Sequence, residues 1–222
     1  MSGADIRVVF LDIGGVMYDD SVYARAWNVA LRESGAVITD REFDQEYAAA
    51  RAAQSGSFRR RLTQRFLGAG ADVEPVERRA AAHWAYPPEA LYPDVLPCLE
   101  AVSQRFRLGI LANQPSMVRT ALTRDGIDPF IEVWGVSDDV GLAKPDPRFF
   151  AHGLALAGVE PRQAVMVGDR LDYDVRPARE IGMHAIWVLR GEAPDDPTDE
   201  QLAEAGASVR GLDELPQTLL GL

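Results

Sequence analysis

A single cysteine, Cys98, stands among the 222 residues, which excludes an intrachain disulfide and any zinc centre built on a cysteine cluster. A lone thiol of this kind is ordinarily a small buried apolar residue, and its isolation fits a reducing cytoplasm. Positive charge is also scarce: 23 Lys and Arg face 34 Asp and Glu, a formal net charge of -11. No excess of cations is available to displace counterions, so neither a nucleic-acid backbone nor an anionic membrane is expected as the main partner. No apolar run approaches the roughly 20 residues of a membrane-spanning helix. The first run, Val8 to Leu11, stops at Asp12, and no basic segment leads into an apolar core of signal length, so a cytoplasmic location is expected. Repeats and low-complexity blocks are absent as well. What remains, 47% hydrophobic and 26% charged residues, is a globular composition long enough for one sizeable core and a smaller appendage.

The stretch Val8 to Met17 reads Val-Val-Phe-Leu-Asp-Ile-Gly-Gly-Val-Met. An apolar run of strand length ends on a carboxylate and two glycines follow, placing Asp12 where a buried strand meets a turn. Ligands of open parallel α/β sheets gather outside the carboxyl ends of the strands, so this is a position for chemistry. Beyond it, to about residue 85, the signals are all helical. Ser21 is expected to cap a helix carrying Val22, Ala26, Val29 and Ala30 toward Gly35, and Thr39 with Glu42 forms a capping box ahead of Phe43, Tyr47 and Ala50. Ser57 starts a helix with Phe58, Leu62 and Phe66, and Pro75 starts another. A sheet crossover needs only one helix. The run therefore predicts an inserted all-α cap domain over residues 18–87, ending at the stiff Tyr86-Pro87-Pro88 break.

From Asp94 onward helices and strands alternate. A helix over 94–104 leads to a strand over 108–112, a helix after Pro115 to a strand over 131–136, a helix after Pro147 to a strand over 164–167, and a helix over 172–181 to a strand over 185–189. Weak helical signals follow Thr198 and Leu212. The alternation predicts an α/β fold with a Rossmann-like parallel sheet and helices on both faces, built from residues 1–17 and 88–222.

Three of the strands end in polar groups: Asp12, Asn113, and the pair Gly168-Asp169. Gly141-Leu-Ala-Lys-Pro-Asp-Pro places Lys144 just ahead of the helix whose first turn holds Pro147. In the order Asp, Asn, Lys, Gly-Asp the chain resembles the haloacid dehalogenase superfamily, most members of which are phosphohydrolases. The resemblance spans essentially the whole chain, and its most specific parts are Lys-Pro-Asp-Pro and Val-Gly-Asp-Arg-Leu-Asp-Tyr-Asp. It implies that Asp12 attacks phosphorus and becomes a transient aspartyl phosphate, dividing one hard displacement into two steps. It implies further that Asp12, Asp169, Asp174 and the carbonyl of Gly14 hold Mg²⁺, and that Ala112, Asn113 and Lys144 are the phosphate-binding positions. Carboxylates gathered at one strand edge repel one another and a phosphate dianion, and Mg²⁺ with Lys144 reverses that sign. The implied partner is a small phosphorylated metabolite. Asp172 reads as a helix cap. Asp174 could alternatively serve the same helix N-terminus through the dipole.

Two positions depart from the pattern. Phosphatases of the superfamily usually carry a second Asp, an acid and base for the leaving group and for water, where this chain has Gly14. They usually carry Ser or Thr where it has Ala112. A missing general acid costs about 10² to 10⁴ in rate, and a lost hydrogen bond to a charged oxygen about 1.5 to 3 kcal/mol. Three compensations are open: a substrate with a good leaving group, such as an acyl or anomeric phosphate; a proton carrier elsewhere, with Asp19 and Asp20 nearest; or backbone N–H groups near Asn113. A catalytically impaired binding homologue and a dehalogenase are the alternatives, although dehalogenases generally lack an acidic set like Asp169 and Asp174. In the insert, Arg59, Arg60, Arg61 and Arg65 form the most basic patch, with Arg61 and Arg65 on one helix face. Trp27, Trp84 and Tyr86 are candidates for the core or the cleft, and His83 for the surface.

Overall fold

A computed structural model of the chain, which describes residues 5–84 and 86–222, has a six-stranded sheet of order β3-β2-β1-β4-β5-β6. The strands are β1 Val8–Leu11, β2 Arg107–Ala112, β3 Ile131–Val136, β4 Ala164–Gly168, β5 His184–Val188 and β6 Ser208–Val209. Every neighbouring pair is parallel. Such strands are covered on both faces and read as continuous apolar runs rather than alternating ones. The two faces divide β1 accordingly: Val9 and Leu11 enter one core cluster, Val8 and Phe10 the other.

The first cluster is closed by α5 (Val95–Ser103), α6 (Val118–Arg124) and α11 (Leu215–Leu220). The second is closed by α8 (Pro147–Ala157), α9 (Arg176–Glu180) and α10 (Asp199–Ala205). Between β1 and β2 run α1 (Asp20–Glu33), α2 (Asp40–Ala53), α3 (Phe58–Leu67) and α4 (Val73–Ala82), and α7 (Ser137–Val140) follows β3 directly. Helices α1 to α4 share a third apolar cluster of their own, centred on Trp27, Leu31, Phe43, Leu62 and Val76. Among the described residues no helix is long and apolar enough to cross a membrane.

The strand order reverses at β1: the chain moves outward through β2 and β3, then returns to the opposite side of β1 with β4. This switch point opens a crevice at the carboxyl ends of β1 and β4. Local chemistry accounts for most element boundaries. The Thr39–Glu42 capping box closes in both directions, and Ser57 accepts from Arg60 N.

Three local expectations need correction. The N-cap of α1 is Asp19, whose carboxylate accepts from Ser21 N and Oγ at 2.8 and 2.7 Å, rather than Ser21 itself. Asp72 caps α4, so Pro75 sits inside the first turn, where its missing N–H has no partner to lose. The expected helix over 172–181 opens with a π-type turn at Leu171–Val175, in which Asp174 N and Val175 N both donate to Arg170 O. Widened turns of this kind concentrate at functional sites. Strand β6 was not foreseen: two residues give no periodic signal, and they pair because the edge of β5 is available.

Candidate active site

Asp12 sits one residue beyond β1. Its N–H still donates to Val167 O at 2.9 Å, which seats the carboxylate between the ends of β1 and β4. The glycines after it have a steric cause. Gly15 has φ +66°, and a Cβ there would lie 1.9 Å from Asp169 Oδ2. A Cβ on Gly168 would lie 2.2 Å from Asp174 Cγ. Only bare backbone lets these carboxylates come so close to the strand ends.

Lys144 arrives from the loop between α7 and α8 with its side chain only 2% exposed. Its Nζ stands 2.9 Å from Asp12 Oδ1 and 2.5 Å from Asp174 Oδ1. Asn113, past the end of β2, holds the lysine backbone from both sides: Lys144 N donates to its Oδ1 at 2.7 Å, and its Nδ2 donates to Lys144 O at 2.8 Å. The asparagine amide is thus engaged in presenting Lys144. Ala112 packs in the first core cluster. Asp174 Oδ2 accepts from Arg170 N at 3.0 Å, and Asp169 Oδ2 accepts from Glu192 N at 2.6 Å. Asp172, expected as a helix cap, instead takes the Arg170 guanidinium at 2.8 Å.

Negative charge is in surplus here. Burial, reinforced by Asp174 and opposed by Lys144, raises the Asp12 carboxyl to about 6. Burial, with Asp20 and Glu192 beside it, also pushes Asp169 well above the usual carboxylate range. Burial lowers the affinity of Lys144 for its proton, but Asp12 and Asp174 more than restore it, so the ammonium is retained. Oxygens of Asp12, Asp169 and Asp174 all lie within 4.8 Å of one another. Hard carboxylate donors converging on one point, with more charge than one ammonium can balance, fit a divalent cation such as Mg²⁺.

These groups line one side of a cleft of about 620 Å³. The helical layer supplies the other side through Tyr23, Phe58, Arg59, Glu77 and Trp84, with Tyr86 from the connection after it. Of the basic patch, Arg59 alone faces the cleft: it pairs with Glu77 at 2.6 Å and lies 5.1 Å from the centre of the Tyr23 ring. Arg61 and Arg65 share Glu46 on the outer surface, and Arg60 is exposed. Trp27 is core, whereas Trp84 and Tyr86 line the cleft. His83 bonds Glu33 at the surface.

Several participants gave no signal in sequence. Gln54, fully buried at the end of α2 with φ +43°, receives Leu171 N on its Oε1 and donates from Nε2 to Glu192 O, both at 2.8 Å. Arg170 joins Glu192 at 2.6 Å to Gly56 O at 2.9 Å. Arg51 reaches Ala193 O at 2.6 Å. Together these bonds fasten the end of α2 to the loops after β4 and β5. Asp20, by contrast, was a candidate proton carrier from the sequence; at the first position of α1 it faces the cleft, and burial, with Glu192 and Asp12 nearby, holds its carboxyl well above the ordinary range.

The haloacid dehalogenase-like hydrolase family model matches residues 6–182. The chain belongs to that family. Among its relatives, a phosphoserine phosphatase of Thermus thermophilus is 39% identical over 153 residues, which is 66% of this chain and 60% of that protein. A glyceraldehyde 3-phosphate phosphatase of Methanopyrus kandleri is 37% identical over 57% of each. The matched part is thus less than two thirds of either relative's length. Among solved structures, a HAD phosphatase from Thermococcus onnurineus superposes with TM-score 0.62 at 26% identity, over 96% of this chain and 98% of that one. A predicted phosphoglycolate phosphatase from Haemophilus somnus gives TM-score 0.77 over 96% and 97%, at 18% identity, a likeness of fold alone.

Proposed function

We propose that the chain is a Mg²⁺-dependent phosphohydrolase that acts on a small phosphorylated metabolite through an aspartyl phosphate at Asp12. The observation that carries this reading is Lys144 Nζ between Asp12 and Asp174 at 2.9 and 2.5 Å, with Asp169 completing a set of three carboxylates at the sheet edge. In this reading Asp12 is the nucleophile. Lys144 keeps it ionised, orients it, and balances charge on the phosphoryl oxygens as it builds. Asp12, Asp169, Asp174 and the carbonyl of Gly14 would hold the cation, Asp174 also bonding Lys144. Bound Mg²⁺ supplies the positive charge that lets a phosphate dianion approach an acidic cleft.

The helices α1 to α4 act as a cap, residues 18–87 forming a unit over a core of 1–17 and 88–222. Their own apolar cluster supports this, as does their fastening to the core through Gln54, Arg51 and Arg170. Tyr23, Trp84, Tyr86 and the Arg59–Glu77 pair then exclude water and choose the leaving group. A dehalogenase would have no use for the cation set, which favours phosphate chemistry. The relatives' names point to compact phosphorylated substrates.

The test is phosphate release across phosphoserine, glyceraldehyde 3-phosphate, sugar 1-phosphates and acyl phosphates, with and without Mg²⁺, using Asp12→Asn as the blank. Release that needs both Mg²⁺ and Asp12 is expected. Its absence from every compound, or its persistence in Asp12→Asn, would refute the proposal.

A further inference from the structure

We propose that Asp20 is a catalytic residue, the carboxylate that moves the proton in both half-reactions; the assignment rests on the phosphohydrolase reading above. Transfer of a phosphoryl group from an alkyl ester to Asp12 expels an alkoxide unless a proton reaches the departing oxygen. Hydrolysis of the resulting acyl phosphate needs the attacking water to give one up. Lys144 is committed to Asp12 and Asp174, and Asp169 accepts from Glu192 N. Glu192 pairs with Arg170, Glu77 with Arg59, and Tyr86 donates to Gln114. Asp138 is exposed at the rim. Asp20 is the half-buried carboxylate of the cleft with no hydrogen bond or ion pair to its side chain among the described residues.

Its place is the stronger argument. A Cβ built on Gly14 would stand 2.9 Å from Asp20 Oδ1 and 3.5 Å from its Cγ. The Asp20 carboxyl therefore fills the space into which a side chain two positions past Asp12 would grow. The adjoining acid makes this arrangement: Asp19 caps α1 and its N–H is tied to Ala90 O at 2.8 Å, leaving Asp20 free to fold back over the Gly14–Gly15 turn. Gly14 and Asp20 are two halves of one solution. The glycine makes the room that a carboxylate from the next element occupies.

The step balances as follows. As the Asp12 oxygen bonds to phosphorus and the ester P–O bond breaks, Asp20 gives its proton to the leaving oxygen. When water then bonds to phosphorus and the Asp12 O–P bond breaks, Asp20 takes a proton from that water and is restored.

The test compares wild type, Asp20→Asn, and Asp20→Ala with Gly14→Asp in one chain, all with Mg²⁺, on glycerol phosphate and acetyl phosphate. Folding is monitored by melting temperature. For Asp20→Asn the first turnover on glycerol phosphate is expected to fall about 10² to 10⁴-fold. Transfer from acetyl phosphate to Asp12, which has a good leaving group, should change less than about tenfold, and the phosphoenzyme should accumulate because its hydrolysis is slowed. The double variant should recover part of the loss, whereas Gly14→Asp alone, with its Cβ 2.9 Å from Asp20 Oδ1, should gain nothing. Equal losses on both substrates, or wild-type turnover on glycerol phosphate, would overturn the assignment. A wild type that turns over neither these two compounds nor the panel above would instead bring down the underlying reading.

Discussion

Asp12→Asn should make the metal-free protein more stable while abolishing turnover. Burial lifts the Asp12 carboxyl from 3.8 to about 6 despite Lys144 at 2.9 Å, which corresponds to about 3 kcal/mol of preference for the neutral form in the native state. The native chain holds this proton more tightly than the unfolded chain. Stability therefore falls as pH rises from 3.8 through about 6, and levels off above it. Asparagine carries no charge and escapes the decline. Lys144 is not orphaned by the change, because Asp174 stays 2.5 Å from it.

Thermal melts in EDTA should thus place the variant above wild type at pH 8, by about 3 kcal/mol or roughly 6 to 12 °C for a chain of this size. At about pH 5 the gap should shrink to roughly half, and it should close only below about pH 3.8, where Asp12 is protonated in the unfolded chain as well. Carboxylates remote from Asp12 cancel in the difference; Asp20 and Asp169, which the Asp12 charge also raises, are relieved in the variant and act in the same direction, against the loss of one partner by Lys144. Mg²⁺ should raise wild type at pH 8 more than the variant, since a ligand that binds only the native state stabilises it. A variant that melts lower at pH 8, or a gap that does not change with pH, would refute the reasoning.

Gln54→Ala removes two bonds between the end of α2 and the core and leaves the buried N–H of Leu171 without its acceptor. A loss of about 1 to 3 kcal/mol in urea unfolding is expected, with KM rising more than kcat, and an unchanged midpoint would show that the fastening carries no energy. Gly168→Ala forces a methyl to within 2.2 Å of Asp174 Cγ and so displaces Asp174 from Lys144. Phosphate release should drop by about 10² or more, as a misplacement of about 1 Å can cause; a wild-type rate would mean that the Asp174–Lys144 contact is dispensable.

The principal groups of the site were legible because each follows an apolar run that can only be a buried strand, or precedes a helix with proline in its first turn. Asp12, Lys144 and Asp169 are positioned by such local signals, and a parallel sheet then has one edge at which they meet. The helical character of residues 20–82 was equally plain from caps and periodicity. Less legible was any residue whose role depends on what it meets. Asn113 stood at the right strand end, yet only the fold shows its amide holding both backbone groups of Lys144, 31 positions away. Gln54 bonds to Leu171 across 117 positions, and nothing around it in the chain distinguishes it from a surface glutamine.

Asp19 and Asp20 make the division plain. As neighbouring acids in a turn they are equivalent on the page of the sequence, and their separation into a helix cap and a cleft carboxylate follows from which one has the helix N–H groups in front of it. Periodicity and capping act over a few residues, so the amino-acid order alone determined the principal helices, the first five strands with their parallel arrangement, and the acidic strand ends, but not β6. Side-chain partnerships are made across distances that the order does not encode, so the tertiary structure alone decided which carboxylate took the lysine, which took the arginine, and which was left facing the cleft.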